Sequence, residues 1–137
     1  MRTTAGTDTS VREHVRTSTF ARQARIASSA RRFVAETTDG HPAASDALLV
    51  AGELIANSLA HALDATTITV IVAVSQAFIR IDVHDDGALG IPHMREAGPD
   101  AEDGRGFRII NQVAQRWGFI REHAHSCCWA EVARQPA

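Results

Sequence analysis

The sequence contains no lysine, because all 14 basic residues among its 137 are arginines. A Walker-type phosphate loop needs a lysine that reaches the terminal phosphates, and a Schiff-base enzyme needs a lysine amine. A eukaryotic-type kinase site is likewise built on a lysine of one strand. The absence excludes these routes, so any nucleotide chemistry in this chain must use other groups.

Other scarcities narrow the class of protein. The only two cysteines, Cys127 and Cys128, are adjacent, and adjacent cysteines rarely form a structural disulfide, so nothing indicates an oxidising compartment. No apolar run approaches the roughly 20 residues that span a bilayer, and the first residues lack the apolar stretch of a signal peptide. A formal charge of −2 gives no electrostatic reason for nucleic-acid or membrane binding. We therefore expect a cytoplasmic protein without a direct nucleic-acid or membrane partner.

The length and composition predict one soluble domain. A chain of 137 residues with 45% apolar side chains is ordinary for a globular protein and long enough to bury a core. Residues 1–10 are small and polar and are predicted to be a flexible tail, which leaves residues 11–134 as a single domain.

Hydrophobic periodicity predicts the order of the secondary structure elements, since helical spacing and strict alternation distinguish helices from strands. The predicted order is a short strand 11–17, helices 19–37 and 43–63, strands 66–75 and 77–86, a loop 88–103, a helix 104–116, and strands 118–123 and 127–132 joined through residues 125 and 126. Grouped helices and neighbouring strands predict an α+β fold. It would be a two-layer sandwich with helices packed on one face of a mixed, mainly antiparallel sheet.

The second predicted helix carries a polar face within ELIANSLAHA, residues 53–62. Glu53, Asn57 and His61 recur every fourth residue and therefore share one side of the helix. A carboxylate one turn from a carboxamide offers a base and a hard oxygen ligand suited to Mg²⁺; a solvated helix face is the alternative. The other side carries the predicted apolar stripe, which is Leu48, Ala51, Ile55, Leu59 and Ala62.

The run Asp85-Asp86-Gly87 ends the strand predicted over 77–86. The period-2 alternation of that strand continues to Asp85, whose side chain we therefore expect in the interface between sheet and helices. Burial of a lone carboxylate is costly unless it is hydrogen-bonded, and an adenine amino group is one suitable donor. Gly87 would let the base approach the backbone. The alternative is a simple turn, in which Asp-Gly pairs are common.

A third motif, Gly104-Arg105-Gly106-Phe107, stands between the long loop and the helix predicted over 104–116. A helix N-terminus presents unpaired N–H groups and a partial positive charge, which together form a phosphate cradle that needs no lysine. A plain junction between loop and helix is the alternative. Phe107 also has helical spacing with Ile110 and Val113, which predicts a core position for it.

The order and spacing of these three motifs resemble those of the GHKL, or Bergerat-fold, ATP-binding superfamily. ELIANSLAHA is similar to its N-box, Asp85-Asp86-Gly87 to its first glycine box, and Gly104-Arg105-Gly106 to its second. The similarity is closer to the short bacterial anti-sigma-factor serine kinases, because Trp117-Gly118 and Trp129-Ala130-Glu131 match their carboxy-terminal pattern. The resemblance spans roughly residues 18–133.

The resemblance implies a set of site residues. Glu53 would be the general base that orients the attacking hydroxyl, and Asn57 would hold Mg²⁺ at the phosphates. Asp85 would contact the adenine amino group, with Gly87 beside the ring. The implied nucleotide contacts are completed by His61, Gly104, Arg105, Gly106 and Phe107, and residues 88–103 would form the ATP lid.

The resemblance also implies an activity and its partners. The protein would bind Mg-ATP and phosphorylate a serine of a STAS-type antagonist, which would control the release of a sigma factor and hence transcription. A homodimer is expected by the same similarity. One departure is Leu89, which stands where the family often has a second glycine. It leaves open a catalytically weak or inactive binding module that sequesters a sigma factor or another regulator; a stand-alone ATPase is a further alternative.

The histidines and cysteines near the C-terminus allow one other reading. His123, His125, Cys127 and Cys128 are ligand types suited to Zn²⁺. In a strand, however, adjacent cysteines point to opposite faces, so at most three of the four converge. Burial of one cysteine as a small apolar residue is favoured over a metal site, and His84 is assigned no role.

Overall fold

The computed structural model describes residues 13–87, 104–122 and 125–134. The predicted tail 1–10, the start of the first predicted strand and the loop 88–103 lie outside these ranges, as does residue 123. The elements in chain order are β1 (His14–Ala21), α1 (Ile26–Thr37), α2 (Ala44–His61), β2 (Thr67–Val74), β3 (Phe78–Asp85), α3 (Gly104–Val113), β4 (Arg116–Glu122) and β5 (His125–Ala133).

The five strands form one sheet in the order β1-β2-β3-β5-β4. Each neighbouring pair of described strands is antiparallel. The three helices pack on one face of this sheet, where α2 contacts β3 and β5 and lies between α1 and α3. The predicted α+β sandwich is confirmed, and its sheet is antiparallel throughout the described strands rather than mixed.

Alternation along β2 and β3 sets the two faces of the sheet. Every second residue of both strands is buried against the helices, beginning with Ile68 in β2 and Ile79 in β3. This is the face that their apolar pattern predicts. The other face carries Thr69, Ile71 and Ala73 from β2 and Arg80, Asp82 and His84 from β3. We call it the open face, because all three described helices lie on the opposite side.

The prediction that a helix begins at residue 19 is wrong. Residues 14–21 form a strand whose whole length pairs with β2, from His14 opposite Val74 to Ala21 opposite Thr67. The strand is also longer than predicted over 11–17. Its β-branched and aromatic residues favour an extended chain, and the ladder with β2 satisfies its backbone groups. Helix α1 begins only at Ile26, after a short turn.

The predicted boundaries near the C-terminus also need correction. Helix α3 ends at Val113, and β4 already begins at Arg116. Residues 125 and 126 do not form the connection of the hairpin, since His125 pairs with Glu122, and Ser126 pairs with both Arg121 and Asp85. Strand β5 therefore begins two residues before its predicted start at 127. It pairs with β3 on one side and with β4 on the other, and both ladders satisfy backbone N–H and C=O groups at its first residues.

The buried side of helix α2 includes residues outside the predicted apolar stripe. Leu54 and Ile55 are fully buried, whereas Leu48 and Leu59 of the predicted stripe are only partly buried. The reason is that α2 packs against the sheet below and against α1 and α3 on its flanks. The buried residues of the helix are Ala47, Val50, Ala51, Leu54, Ile55 and Ser58.

Two side chains anchor the ends of α2. His41 accepts a hydrogen bond from the Ala43 N–H through Nδ1, and its Nε2 donates to the Ser75 carbonyl at 2.8 Å. At the other end, the Arg22 guanidinium donates to the carbonyls of Leu59 and Ala62, both at 2.9 Å. A cation on the last carbonyls of a helix satisfies unpaired acceptors and opposes the negative end of its dipole.

The open face is organised around Trp129 of β5. A Cβ at Gly118, its cross-strand partner, would lie only 2.7 Å from the indole nitrogen, so the ring covers the glycine. The guanidinium of Arg80 lies 4.2 Å from the indole centroid, and that of Arg116 lies 5.9 Å away. Both arginines also pair with the carboxylate of Glu131. The Trp-Gly and Trp-Ala-Glu motifs therefore have a structural role.

None of the helices in the described ranges combines the length and the hydropathy that crossing a bilayer requires.

Candidate functional site

Asp85 lies at the end of β3 with its carboxylate buried on the helix side of the sheet. The residue is 5% exposed, as the alternation of the strand predicts. Oδ1 accepts a hydrogen bond from the Gly87 N–H at 3.1 Å, and Oδ2 accepts one from the Ser58 hydroxyl at 3.3 Å. Two ionised oxygens offer about four acceptor positions, so these contacts leave capacity for a further donor.

The electrostatics of Asp85 are those of a desolvated carboxylate. Burial raises the pKa of Asp85 above its usual value, whereas the hydrogen bonds from Gly87 and Ser58 lower that pKa and offset part of the effect. Its neighbour Asp86 faces solvent and behaves in the opposite way. Hydrogen bonds from Thr66 and Thr67 lower the pKa of Asp86. The adjacent aspartates therefore differ in role: Asp86 joins the end of β3 to the start of β2, and Asp85 is a buried acceptor.

Asn57 lies one residue before Ser58 on α2 and contacts strand β5. Its Nδ2 donates to the sulfur of Cys128 at 3.5 Å. Cys128 is buried, and that burial raises the pKa of its thiol to about 12, so the sulfur is a neutral, weak acceptor. With the amide nitrogen turned inward, the Oδ1 of Asn57 remains as a hard oxygen ligand of the kind that Mg²⁺ prefers.

Glu53 lies one turn before Asn57 on α2 and is partly exposed. It borders an open groove of about 480 Å³ on the outer side of α1 and α2. The groove is lined by Arg31, Ser45, Leu48, Leu49, Gly52, Glu53 and Ala56. The Glu53 carboxylate is therefore accessible to a group that approaches from outside, whereas Asp85 is only 5% exposed and borders a different cavity, of about 310 Å³.

Gly87 has a structural reason for being glycine. A Cβ at this position would lie 2.8 Å from the Asp64 carboxylate and 3.3 Å from the backbone nitrogen of Ala65. The backbone after β3 thus packs closely on the turn that follows α2. This contact holds the N–H of Gly87 in place to donate to Asp85. A role for Gly87 beside an adenine ring stays a prediction.

For the remaining predicted nucleotide contacts, we describe only the helix on which each residue lies. Gly104, Arg105, Gly106 and Phe107 form the first turn of α3, which packs against α2. His61 is the last residue of α2, one turn after Asn57. The fold thus brings α3 and the N-box helix side by side, and the roles of these residues stay predictions.

The acceptor oxygens of Asp85 and Asn57 suit ATP and Mg²⁺. A buried carboxylate with spare acceptor capacity suits an exocyclic amino group, since an unpaired buried acceptor is costly. The amide oxygen of Asn57 suits a hard cation at phosphate oxygens. Asn57 and Ser58 are consecutive residues of α2, and Asp85 is joined to that helix through Ser58.

Ser58 is the residue that the sequence analysis missed. It is 3% exposed and carries the hydroxyl that contacts Asp85. The signal was present in the periodicity, because position 58 follows Ala47, Val50, Ala51 and Leu54 on the buried side of α2. A polar residue on that side requires a buried partner.

Comparison with curated proteins found none that matches the chain. The model of one protein family, the histidine kinase-like ATPase domain, matches residues 14–129, from the start of β1 into β5. This range contains the N-box helix, the buried Asp85 and the whole of α3, and the antiparallel sheet with its helices on one face fits such a domain. The chain therefore belongs to the histidine kinase-like ATPase domain family.

Proposed function

We propose that this protein is an anti-sigma-factor regulator of the GHKL type. It binds Mg-ATP and phosphorylates a serine of a STAS-type antagonist, and phosphorylation of the antagonist controls release of a sigma factor. Membership of an ATPase domain family supports ATP binding and a regulatory role. The choice of a protein serine as acceptor rests on the similarity of Trp117-Gly118 and Trp129-Ala130-Glu131 to the anti-sigma-factor kinases.

The single observation that carries ATP binding is the buried carboxylate of Asp85. Its two protein donors, Ser58 and the backbone of Gly87, leave an acceptor position open. The N–H groups of an adenine amino group fill such a position, and guanine presents a carbonyl oxygen there instead, which a carboxylate repels. Asp85 therefore selects the base, and ATP rather than GTP is the expected nucleotide.

The remaining residues divide the work of phosphoryl transfer. Bound ATP supplies the phosphoryl group, and Mg²⁺ neutralises charge at its phosphates. Asn57 would hold the metal through Oδ1, and Gly104, Arg105 and Gly106 would contact phosphate. Glu53 accepts the proton of the attacking serine hydroxyl. Its position at the edge of the outer groove leaves its carboxylate within reach of a partner protein.

Phosphate transfer from ATP labelled on the γ-phosphate to a purified STAS-type antagonist tests the kinase proposal. We expect Glu53→Gln to bind Mg-ATP like the wild type but to lose transfer by about 10²-fold or more, the usual contribution of a general base. Glu36→Gln is the matched control, because Glu36 is an exposed glutamate of α1 that is not among the residues lining the groove beside Glu53. Equal transfer by wild type and Glu53→Gln would contradict the role of Glu53.

The second candidate function is a binding module that sequesters its partner without catalysis. Leu89 at the usual position of a second glycine favours it. A wild type that is stabilised by Mg-ATP, binds the antagonist and transfers no phosphate would select this function. A wild type that shows no stabilisation by Mg-ATP would overturn ATP binding itself.

The cellular setting belongs to the same proposal. A sigma factor and its antagonist act in the cytoplasm, so we place the regulator there. We also propose a homodimer, by similarity to the anti-sigma-factor kinases. Light scattering of the purified full chain, alone and with a sigma factor captured from the native cell, measures both associations.

A further inference from the structure

Three side chains with metal-binding chemistry meet on the open face of the sheet. His84 of β3 and Cys127 of β5 are directly opposite in the antiparallel ladder. Asp82 lies two residues before His84 and therefore on the same face. Cys128 points to the other face and contacts Asn57, so only one of the two cysteines belongs to the group.

The distances within this group are those of a tetrahedral metal site. The sulfur of Cys127 lies 3.5 Å from Nε2 of His84 and 3.8 Å from Oδ2 of Asp82. All three ligand atoms lie within 4.8 Å of one another. Bond lengths of about 2.3 Å to sulfur and about 2.0 Å to nitrogen or oxygen place tetrahedral ligands about 3.5 Å apart. An ion could therefore bind with little movement of the side chains.

We propose that Asp82, His84 and Cys127 bind a divalent transition-metal ion, with Zn²⁺ as the expected metal. Thiolate and imidazole are borderline-soft ligands that suit Zn²⁺, whereas Mg²⁺ and Ca²⁺ prefer oxygen alone. Binding forms a metal–sulfur bond, breaks the S–H bond of Cys127 and releases that proton to solvent. The three ligands lie on the opposite face of the sheet from the Asp85 carboxylate, by the alternation of β3.

The ring of His125 is placed to orient His84 as a metal ligand. Nδ1 of His84 lies 2.9 Å from Nε2 of His125, and the two ring planes differ by only 24°, a distance and an orientation that allow an N–H···N bond. If Nδ1 of His84 carries the proton, Nε2 is free to bind metal. Metal-binding histidines regularly donate their second ring N–H to an acceptor, and Nε2 of His125 would be that acceptor here.

Asp82 is held by Arg80 in a similar manner. The guanidinium donates to both carboxylate oxygens, at 2.9 Å and 3.1 Å. This pair fixes the orientation of the carboxylate, as hydrogen bonds to metal-binding carboxylates commonly do. The charge of Arg80 also offsets one of the two negative charges that carboxylate and thiolate bring together.

The fourth position of the tetrahedron is left to solvent or to a small ligand. His84 and His125 border an open cavity of about 310 Å³, which is also lined by Thr67, Thr69, Ile71, Asp85 and Asp86. Of the three proposed ligands, this cavity reaches His84. Three protein ligands with one exchangeable position are the arrangement of zinc sites that bind or activate a further ligand, rather than of closed structural sites.

Titration of the full chain with Co²⁺, after removal of any affinity tag and of bound metal with a chelator, tests the proposal. Tetrahedral thiolate coordination gives a sulfur-to-cobalt charge-transfer band and strong d–d absorption. We expect one equivalent of Co²⁺ to produce both, Zn²⁺ to displace it, and excess Mg²⁺ to leave it in place. Absence of a charge-transfer band, or displacement by Mg²⁺, would overturn the site.

Variants of neighbouring residues separate this site from adventitious binding. Cys127→Ser should abolish the charge-transfer band, whereas Cys128→Ala, one residue away on the other face, should keep it. His125→Gln should lower the affinity for Co²⁺ by about 10- to 100-fold without abolishing the band, because His125 acts only through His84. A band that persists in Cys127→Ser would contradict the proposal. Should Cys127→Ser not fold, His84→Gln decides in its place, since unchanged affinity there has the same meaning.

Discussion

The hydroxyl of Ser58 donates to Oδ2 of Asp85 at 3.3 Å and so joins the N-box helix α2 to the end of strand β3. Both residues are buried, at 3% and 5% exposure. The contact sets the buried carboxylate against the buried side of α2, one residue after Asn57. It also explains how a charged group persists inside the sandwich, because each carboxylate oxygen has a donor.

Replacement of Asp85 should separate nucleotide binding from stability. We expect Asp85→Asn to lose the thermal stabilisation by Mg-ATP, because an amide cannot accept at both positions. At neutral pH its free energy of unfolding should equal or exceed that of the wild type, since the cost of burying a charge is removed. At a nucleotide concentration of 100 times the dissociation constant, the wild type should gain about 2.7 kcal/mol, measured by denaturant unfolding with and without Mg-ATP.

Asp86→Asn is the matched control for that experiment. Asp86 is exposed, and its Oδ1 accepts from the backbone of Thr66 and Thr67, a role that an asparagine oxygen can keep. This variant should retain the response to Mg-ATP. If Asp85→Asn keeps the full response, or if both variants lose it equally, Asp85 does not contact the base.

The contribution of Asp85 to the free energy of unfolding should decrease as the pH rises. Burial raises the pKa of Asp85 above 3.8, so protonation favours the folded state. That stabilisation is complete below 3.8 and is lost as the pH rises through the raised pKa. The unfolding free energy of the wild type minus that of Asp85→Asn should therefore fall as the pH rises from 3.8 through the raised pKa of Asp85, and then stay constant. Urea unfolding at a series of pH values measures it, and a difference that rises with pH would contradict the burial of the ionised group.

Two glycine-to-alanine substitutions should have opposite effects. A Cβ at Gly118 would lie 2.7–2.9 Å from the indole of Trp129, so the ring must move away from its packed position. We expect Gly118→Ala to lower the unfolding free energy by about 1–3 kcal/mol. At Gly52 in α2 the nearest atoms belong to Arg31 at 3.6 Å and 3.7 Å, an ordinary contact.

Gly52→Ala should therefore raise the unfolding free energy by about 0.5–1 kcal/mol, the usual helix preference for alanine. Chemical denaturation of both variants gives the comparison. Near-ultraviolet circular dichroism reports in addition whether the environment of the tryptophans changes only in Gly118→Ala. A neutral Gly118→Ala with an unchanged spectrum would show that the ring does not cover the glycine.

Two leucines of α2 test which side of the helix is buried. Leu54 is fully buried, whereas Leu49 is 46% exposed. Leu54→Ala should cost about 2–5 kcal/mol, because it leaves a cavity between α2 and the sheet. Leu49→Ala should change the unfolding free energy by less than about 0.5 kcal/mol. Equal losses in urea unfolding would mean that α2 is rotated from the position described.

The sequence predicted the local structure wherever one period dominates. Alternation in β2 and β3 identified both strands, their buried face and the inward position of Asp85. The helical spacing of Glu53, Asn57 and His61 placed them on one helix. Periodicity failed at Phe20, whose spacing fits a helix but which pairs with Ile68 in the sheet. A short apolar pattern is compatible with both periods, and only the neighbouring strand decides between them.

Contacts between distant residues were decided by the tertiary structure alone. The order β1-β2-β3-β5-β4 makes β5 the neighbour of β3, which brings Cys127 opposite His84 across 43 positions of sequence. The same arrangement places the indole of Trp129 on Gly118 and the hydroxyl of Ser58 on Asp85. The sequence gives the chemical type of each of these residues, and the period of its helix or strand gives the face on which it lies. The sequence does not give the residue that each one contacts. Register and strand order arise from burying all the apolar faces and satisfying all the backbone groups at once.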